Sequence, residues 1–160
     1  MEPFSIRTYF QQDHTELDDL LVQFQTLKRS DYAAAKSRFV AFKFGLQRHI
    51  VWEEDLLFPA WEKATGQTES GPTAVMRREH RQIADALEAL HRKVQAADPE
   101  SDAEERALLA LLSSHNRKEE RVLYPALDGT LGDEERAGIF RAMNELPEER
   151  YKVCCADHEK

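Results

Sequence analysis

A chain of 160 residues with a formal net charge of −8 and 32% charged residues is long enough to bury a core as one domain and would repel a polyanion, which argues against a nucleic-acid partner. No apolar run approaches the ~20 residues that span a bilayer, and the opening residues lack the basic and apolar regions of a signal peptide, so the expected setting is cytoplasmic, with no membrane partner. The only cysteines, the adjacent Cys154 and Cys155, cannot staple a core and fit a reducing compartment.

The apolar pattern predicts long helices joined by short turns. His14, Leu17, Leu21 and Phe24 recur at alternating intervals of three and four, the mark of one seam of a bundle helix, with His14 on that seam. Ser30-Asp31 breaks the pattern with turn and N-cap chemistry, and Phe39, Phe42, Leu46, His49, Glu53 and Leu56 then continue it on a second helix. Pro59 kinks or ends this helix, Ala64-Thr65-Gly66 closes the segment, and residues 66–72 form a polar loop. A third helix carries His80, Ile83, Leu87, Leu90 and Val94 and stops at Ala97-Asp98-Pro99. Ser101 and Glu104 form a capping box for a fourth, with Leu108, Leu112, His115, Glu119 and Val122 on its seam. After residues 129–132, an Asp133 N-cap opens a shorter helix with Ile139, Phe140, Met143 and Leu146 inward, stopped by Pro147. Residues 1–147 read as one domain, and residues 148–160 as a charged tail expected to be poorly ordered.

The chain is duplicated. The displacement that carries His49 onto His115 also carries Glu53 onto Glu119, Phe58 onto Tyr124, Pro59 onto Pro125 and Asp13-His14 onto Glu79-His80. Each His-x3-Glu pair puts an imidazole and a carboxylate one turn apart on one helix face. In an antiparallel hairpin, residues equidistant from the turn share a height. The midpoint of His14 and His49 falls beside Ser30-Asp31, that of His49 and His80 inside Ala64-Thr65-Gly66, and that of His80 and His115 inside Ala97-Asp98-Pro99. The expected fold is therefore an all-α, up-down-up-down four-helix bundle with a short fifth helix, and four histidines in one layer.

A single core histidine is ordinarily satisfied by a neighbour. Two carboxylates and four imidazoles together are not, because burying each carboxylate without compensation costs several kcal/mol. Cations balance both demands. His14, His49, Glu53, His80, His115 and Glu119 are too many donors for one tetrahedral zinc, and a layer without thiolates argues against an iron–sulfur cluster. Two ions sharing both carboxylates, with an oxo or hydroxo bridge, would each keep an open position. Imidazole with carboxylate suits two iron ions, and manganese or zinc fits the same cage.

These residues resemble the hemerythrin-like, or HHE cation-binding, family, whose bundle carries His on one helix and His-x3-Glu on the next, twice over; the resemblance spans residues 10–128. It implies that His14 and His49 hold one iron, His80 and His115 the other, with Glu53 and Glu119 bridging. Oxygen-carrying members have a further His one turn after the equivalent of His80, where this chain has Ala84. The resulting four-His, two-Glu set is similar to that of the repair-of-iron-centres di-iron proteins, linked to nitrosative and oxidative stress. Those usually carry a cysteine-bearing N-terminal domain, whereas the residues ahead of His14 hold no cysteine. The resemblance implies a di-iron protein that binds or senses O2 or NO at an open iron position. The alternatives are an oxidoreductase acting on NO or peroxide and an iron-donating repair protein.

The remaining polar residues read as structural. Asp18, one turn after His14, is a solvated carboxylate or else an acceptor that reaches the first metal or orients His14. Glu54 and Glu120 point about 100° away from the bridging pair and read as solvent-facing, with support of the ligands as the alternative. Tyr124 reads as packing, because its repeat counterpart is Phe58, and His91 as a helix-end histidine too far along the axis for the site. Cys154, Cys155 and His158 read as an inert tail, with a redox or accessory metal site as the alternative. The oligomeric state is open.

Overall fold

A computed structural model describes residues 5–152. Among them there is no strand, and the helices run in the expected order. Helix α1 spans Ile6–Leu27, α2 Tyr32–Trp52, α3 Phe58–Thr65, α4 Pro72–Gln95, α5 Asp102–Lys118, α6 Tyr124–Thr130 and α7 Asp133–Glu145. α2 and α3 are one rod joined by a π-helical turn at Glu53–Leu57, and α5 and α6 are another, joined at Glu119–Leu123. Among the described residues no helix is long and apolar enough to cross a membrane.

The prolines explain those wide turns. In a regular α-helix the ring of Pro59 would strike the carbonyl four residues back. The helix widens instead of ending, and the amides of Phe58 and Tyr124 donate five residues back, to the carbonyls of Glu53 and Glu119. The second rod repeats the device at Pro125. Gly66, at φ 77°, then closes α3 as a left-handed C-cap.

Two hairpins, α1 with α2 and α4 with α5, make the main body of the bundle. Gly45 lets the first hairpin close tightly, since a Cβ there would come within 2.7 Å of Leu17 Cδ2. The core falls into two clusters. Phe10, Trp52, Leu57, Phe58, Met76, Leu123 and Tyr124 pack at one end, and Leu17, Leu21, Phe24, Phe39, Phe42, Leu87 and Leu108 at the other. Every predicted ligand lies between them: His14 between Phe10 and Leu17 on α1, His80 between Met76 and Ile83 on α4.

Three local expectations are corrected. Ser101 is the N-cap of α5, but its hydroxyl donates to Glu105 Oε2 at 2.6 Å and accepts from the buried Lys28, which also meets Asp102 and Glu105, so no capping box forms. Gly132, not Asp133, caps α7, with Glu135 accepting from the Gly132 amide at 3.1 Å. Residues 148–152 are ordered, forming a 3-10 turn whose buried Tyr151 accepts from Trp52 Nε1 at 3.0 Å and donates to the Met143 carbonyl at 3.1 Å. α7 lays Ile139 and Met143 across that end of the core. Cys154, Cys155 and His158 lie outside the described residues.

Candidate metal centre

The layer converges as the hairpin geometry requires. His14, His49, His80, His115, Glu53 and Glu119 are all buried, the two carboxylates at 0% exposure. They form two overlapping groups: His14, His49, Glu53 and Glu119, and Glu53, His80, His115 and Glu119; within each, one donor atom per residue lies within 4.8 Å of the others. Both carboxylates belong to both groups. Glu53 sets one oxygen 3.2 Å from His49 Nε2 and the other 3.0 Å from His80 Nε2. Glu119 does the same with His14 Nε2 at 3.1 Å and His115 Nε2 at 3.0 Å.

The outward nitrogen of every imidazole is held by an acid. His49 Nδ1 lies 2.8 Å from Asp13 and His115 Nδ1 2.8 Å from Glu79; His14 Nδ1 lies 2.7 Å from Glu120 and His80 Nδ1 2.7 Å from Glu54. With Nδ1–H donated outward, each ring turns Nε2 to the centre, the arrangement that makes imidazole a good metal donor. Asp13 and Glu79 support within their own repeat. Glu54 and Glu120 support across it, contrary to their reading as solvent-facing, because the neighbouring helix brings a histidine to their side of the rod. Asp18 is exposed, and Glu120 holds the His14 nitrogen it was a candidate to orient.

Tyr124 also departs from its packing role. Its hydroxyl lies 2.5 Å from Glu53 Oε2, 2.8 Å from Glu119 Oε1, 3.2 Å from His49 Nε2 and 3.3 Å from His14 Nε2. Phe58, its counterpart, is the packing residue: its ring stacks on His80 at 5.6 Å between centroids and 15° between planes. His91 stacks on Phe39 outside the layer.

Charge in the site is crowded. Burial alone would favour neutral imidazoles, yet Glu53 and Glu54 raise the pKa of His80 to about 9, and Glu53 with Asp13 and Glu119 holds His49 well above its ordinary value. His115 is raised against burial by Glu119 and Glu53. Burial opposes ionisation of Glu119, but His115, His14 and His49 hold its carboxyl well below the usual range. Burial, then the charges of Glu119 and Glu53, push the Tyr124 phenol far up. Protons thus stand where cations would, and a metal must displace them.

The donors fit metal ions on a second ground. Glu53 Oε1, Glu119 Oε2 and His80 Nε2 are buried without a well-formed hydrogen bond among the described residues, and close only as ion pairs within the layer, Glu53 Oε1 with His80 Nε2 and Glu119 Oε2 with His115 Nε2, each at 3.0 Å. Such pairs hold only while the imidazoles keep their protons, and a cation shared by the same atoms replaces them.

A helical bundle whose buried layer offers two carboxylate-sharing His/Glu groups defines a cation-binding protein. The hemerythrin HHE cation binding domain family matches residues 5–146, and the chain belongs to it. No curated protein and no solved structure matches the chain.

Proposed function

We propose that this chain holds two iron ions, one against His14 and His49, the other against His80 and His115, with Glu53 and Glu119 shared, and that it binds or senses O2 or NO there. The observation that carries this reading is the sharing itself: each carboxylate directs one oxygen at each histidine pair. A single structural ion would need no second set of donors. Mixed imidazole and carboxylate donors without thiolate favour iron, with manganese and zinc as the competitors. Iron there would supply reversible one-electron chemistry and a Lewis-acidic position for a small ligand. The chain's own part is to keep four Nε2 atoms inward, exclude bulk water between two apolar clusters, and hold a phenolic proton on Tyr124. A cytoplasmic setting belongs to this reading.

The Tyr124 proton favours a second reading, an oxidoreductase acting on NO or peroxide, since those reductions consume protons and Tyr124 sets one beside both carboxylates. Metal analysis with anaerobic optical spectroscopy of the reduced protein, before and after O2 and then NO, separates the two. Binding or sensing gives two irons per chain and a ligand-dependent spectrum without net consumption. Sustained turnover with an electron donor supports the enzyme, and zinc in the cage with no response to either gas overturns both.

A further inference from the structure

The two halves of the centre differ in what stands beyond the imidazoles. A cavity of about 220 Å3 opens between α2 and α4, and His80 and Glu54 line it. His80 Nε2 is buried and meets Glu53 Oε1 at 3.0 Å, while its Nδ1 meets Glu54 of the cavity lining at 2.7 Å. Ala84, one turn along α4 from His80, also lines the cavity, and with Ile50 and Val51 it forms a small-residue and aliphatic wall. Asp55 and Arg150, both partly exposed and paired at 2.7 Å, belong to the same lining. Arg81 faces Glu54, so acid and base are matched around the cavity and a small anion meets no net repulsion.

On the other half the chain sets a group of its own against the imidazoles. Tyr124 sets its hydroxyl within 3.3 Å of both His14 Nε2 and His49 Nε2 and bonds both carboxylates. Resting on the reading of a paired metal centre that takes a small ligand, we propose that exogenous ligands reach and bind the centre from the His80–His115 side, through the cavity beside Ala84, while Tyr124 closes the His14–His49 side. The ligand class is a diatomic molecule or a small anion, the class that fits a buried centre reached past the His80 ring.

Azide, a small anion with an optical signature on ferric iron, is the probe. In the iron-loaded protein, Ala84→Phe is expected to keep two irons and to slow azide association at least about tenfold. A second variant covers the case in which Ala84→Phe does not fold. Ala84→Cys with Cys154→Ser and Cys155→Ser is loaded with iron, and azide association is measured before and after a bulky group is attached to the introduced thiol by a disulfide. The same slowing is expected, reversed when the disulfide is reduced. Unchanged association with the group attached and both irons retained overturns the proposed route. A wild-type protein that holds two irons but shows no azide response overturns the ligand-binding reading beneath it, and the route with it.

Discussion

The His14–His49 and His80–His115 halves descend from the same repeat and place their imidazoles, shared carboxylates and supporting acids equivalently, yet they end in different chemistry. On the first, a tyrosine hydroxyl contacts both imidazoles; on the second, a phenylalanine ring lies flat on His80 and a cavity runs beside it. One oxygen atom separates Tyr124 from Phe58. Duplication delivers the donor set, and the difference in what surrounds it comes from positions where the copies diverged, among them 58 and 124, and 18 and 84. The support is also crossed: Glu120 and Tyr124, from the second repeat, serve the first half, while Glu54 and Phe58, from the first, serve the second.

The equivalence of the donors is broken most severely through a shared one. Glu119→Ala is expected to lower bound metal from two ions to one or none, measured by elemental analysis of loaded protein. Two ions retained would contradict its sharing. Next in size is the response to protons. His80 is raised to about 9 from 6.5, so its contribution to the metal-free fold, on the order of 3 kcal/mol, is complete below pH 6.5 and lost as pH rises through 9. His49 and His115 act in the same sense. Glu119 acts in the opposite one, stabilising above about pH 4.5 and losing that contribution as pH falls further. Thermal unfolding of the metal-free protein should therefore show Tm highest near pH 5–6.5 and falling towards pH 9. The metal-loaded protein should not share that fall, because its imidazoles have already surrendered their protons.

The supporting acids sharpen the comparison further. Glu120→Ala should weaken one of the two binding events about 10- to 100-fold, and Glu54→Ala the other, each read by competition with a chromogenic chelator. Equal weakening of both events in either variant would show that the halves do not bind separately. Smallest is Tyr124→Phe, which removes the oxygen that sets the halves apart and leaves its two carboxylates short of a donor. Denaturant unfolding of the metal-free variant should show a loss of about 1–3 kcal/mol with the slope unchanged.

The donor layer was legible because helix periodicity and hairpin midpoints are independent constraints that agreed on His14, His49, His80 and His115, with Glu53 and Glu119 a turn away. The supporting acids were less so. A direction about 100° from the seam reads as solvent when one helix is considered alone, and only the neighbouring helix shows that Glu54 and Glu120 face a histidine. A signal was present, since each acid beside a ligand recurs in the other repeat, Asp13 as Glu79 and Glu54 as Glu120. Tyr124 was lost for a different reason. Five residues beyond Glu119 on a regular α-helix lies about 140° away, but the π-turn brings it back onto the site face. Pro59 reads as a kink or an end of its helix, whereas the chain absorbs it, and Pro125 likewise, by widening.

The crossed support has an implication for how such a molecule could arise. One hairpin alone owns two imidazoles and one shared carboxylate, while the groups that steady one of those imidazoles belong to its neighbour, so an ancestral single hairpin could complete a cage only by pairing with a copy of itself across a twofold axis. Fusion of two such hairpins would make that encounter intramolecular and independent of concentration. It would also release the partners from identity, which a symmetric pair could never escape.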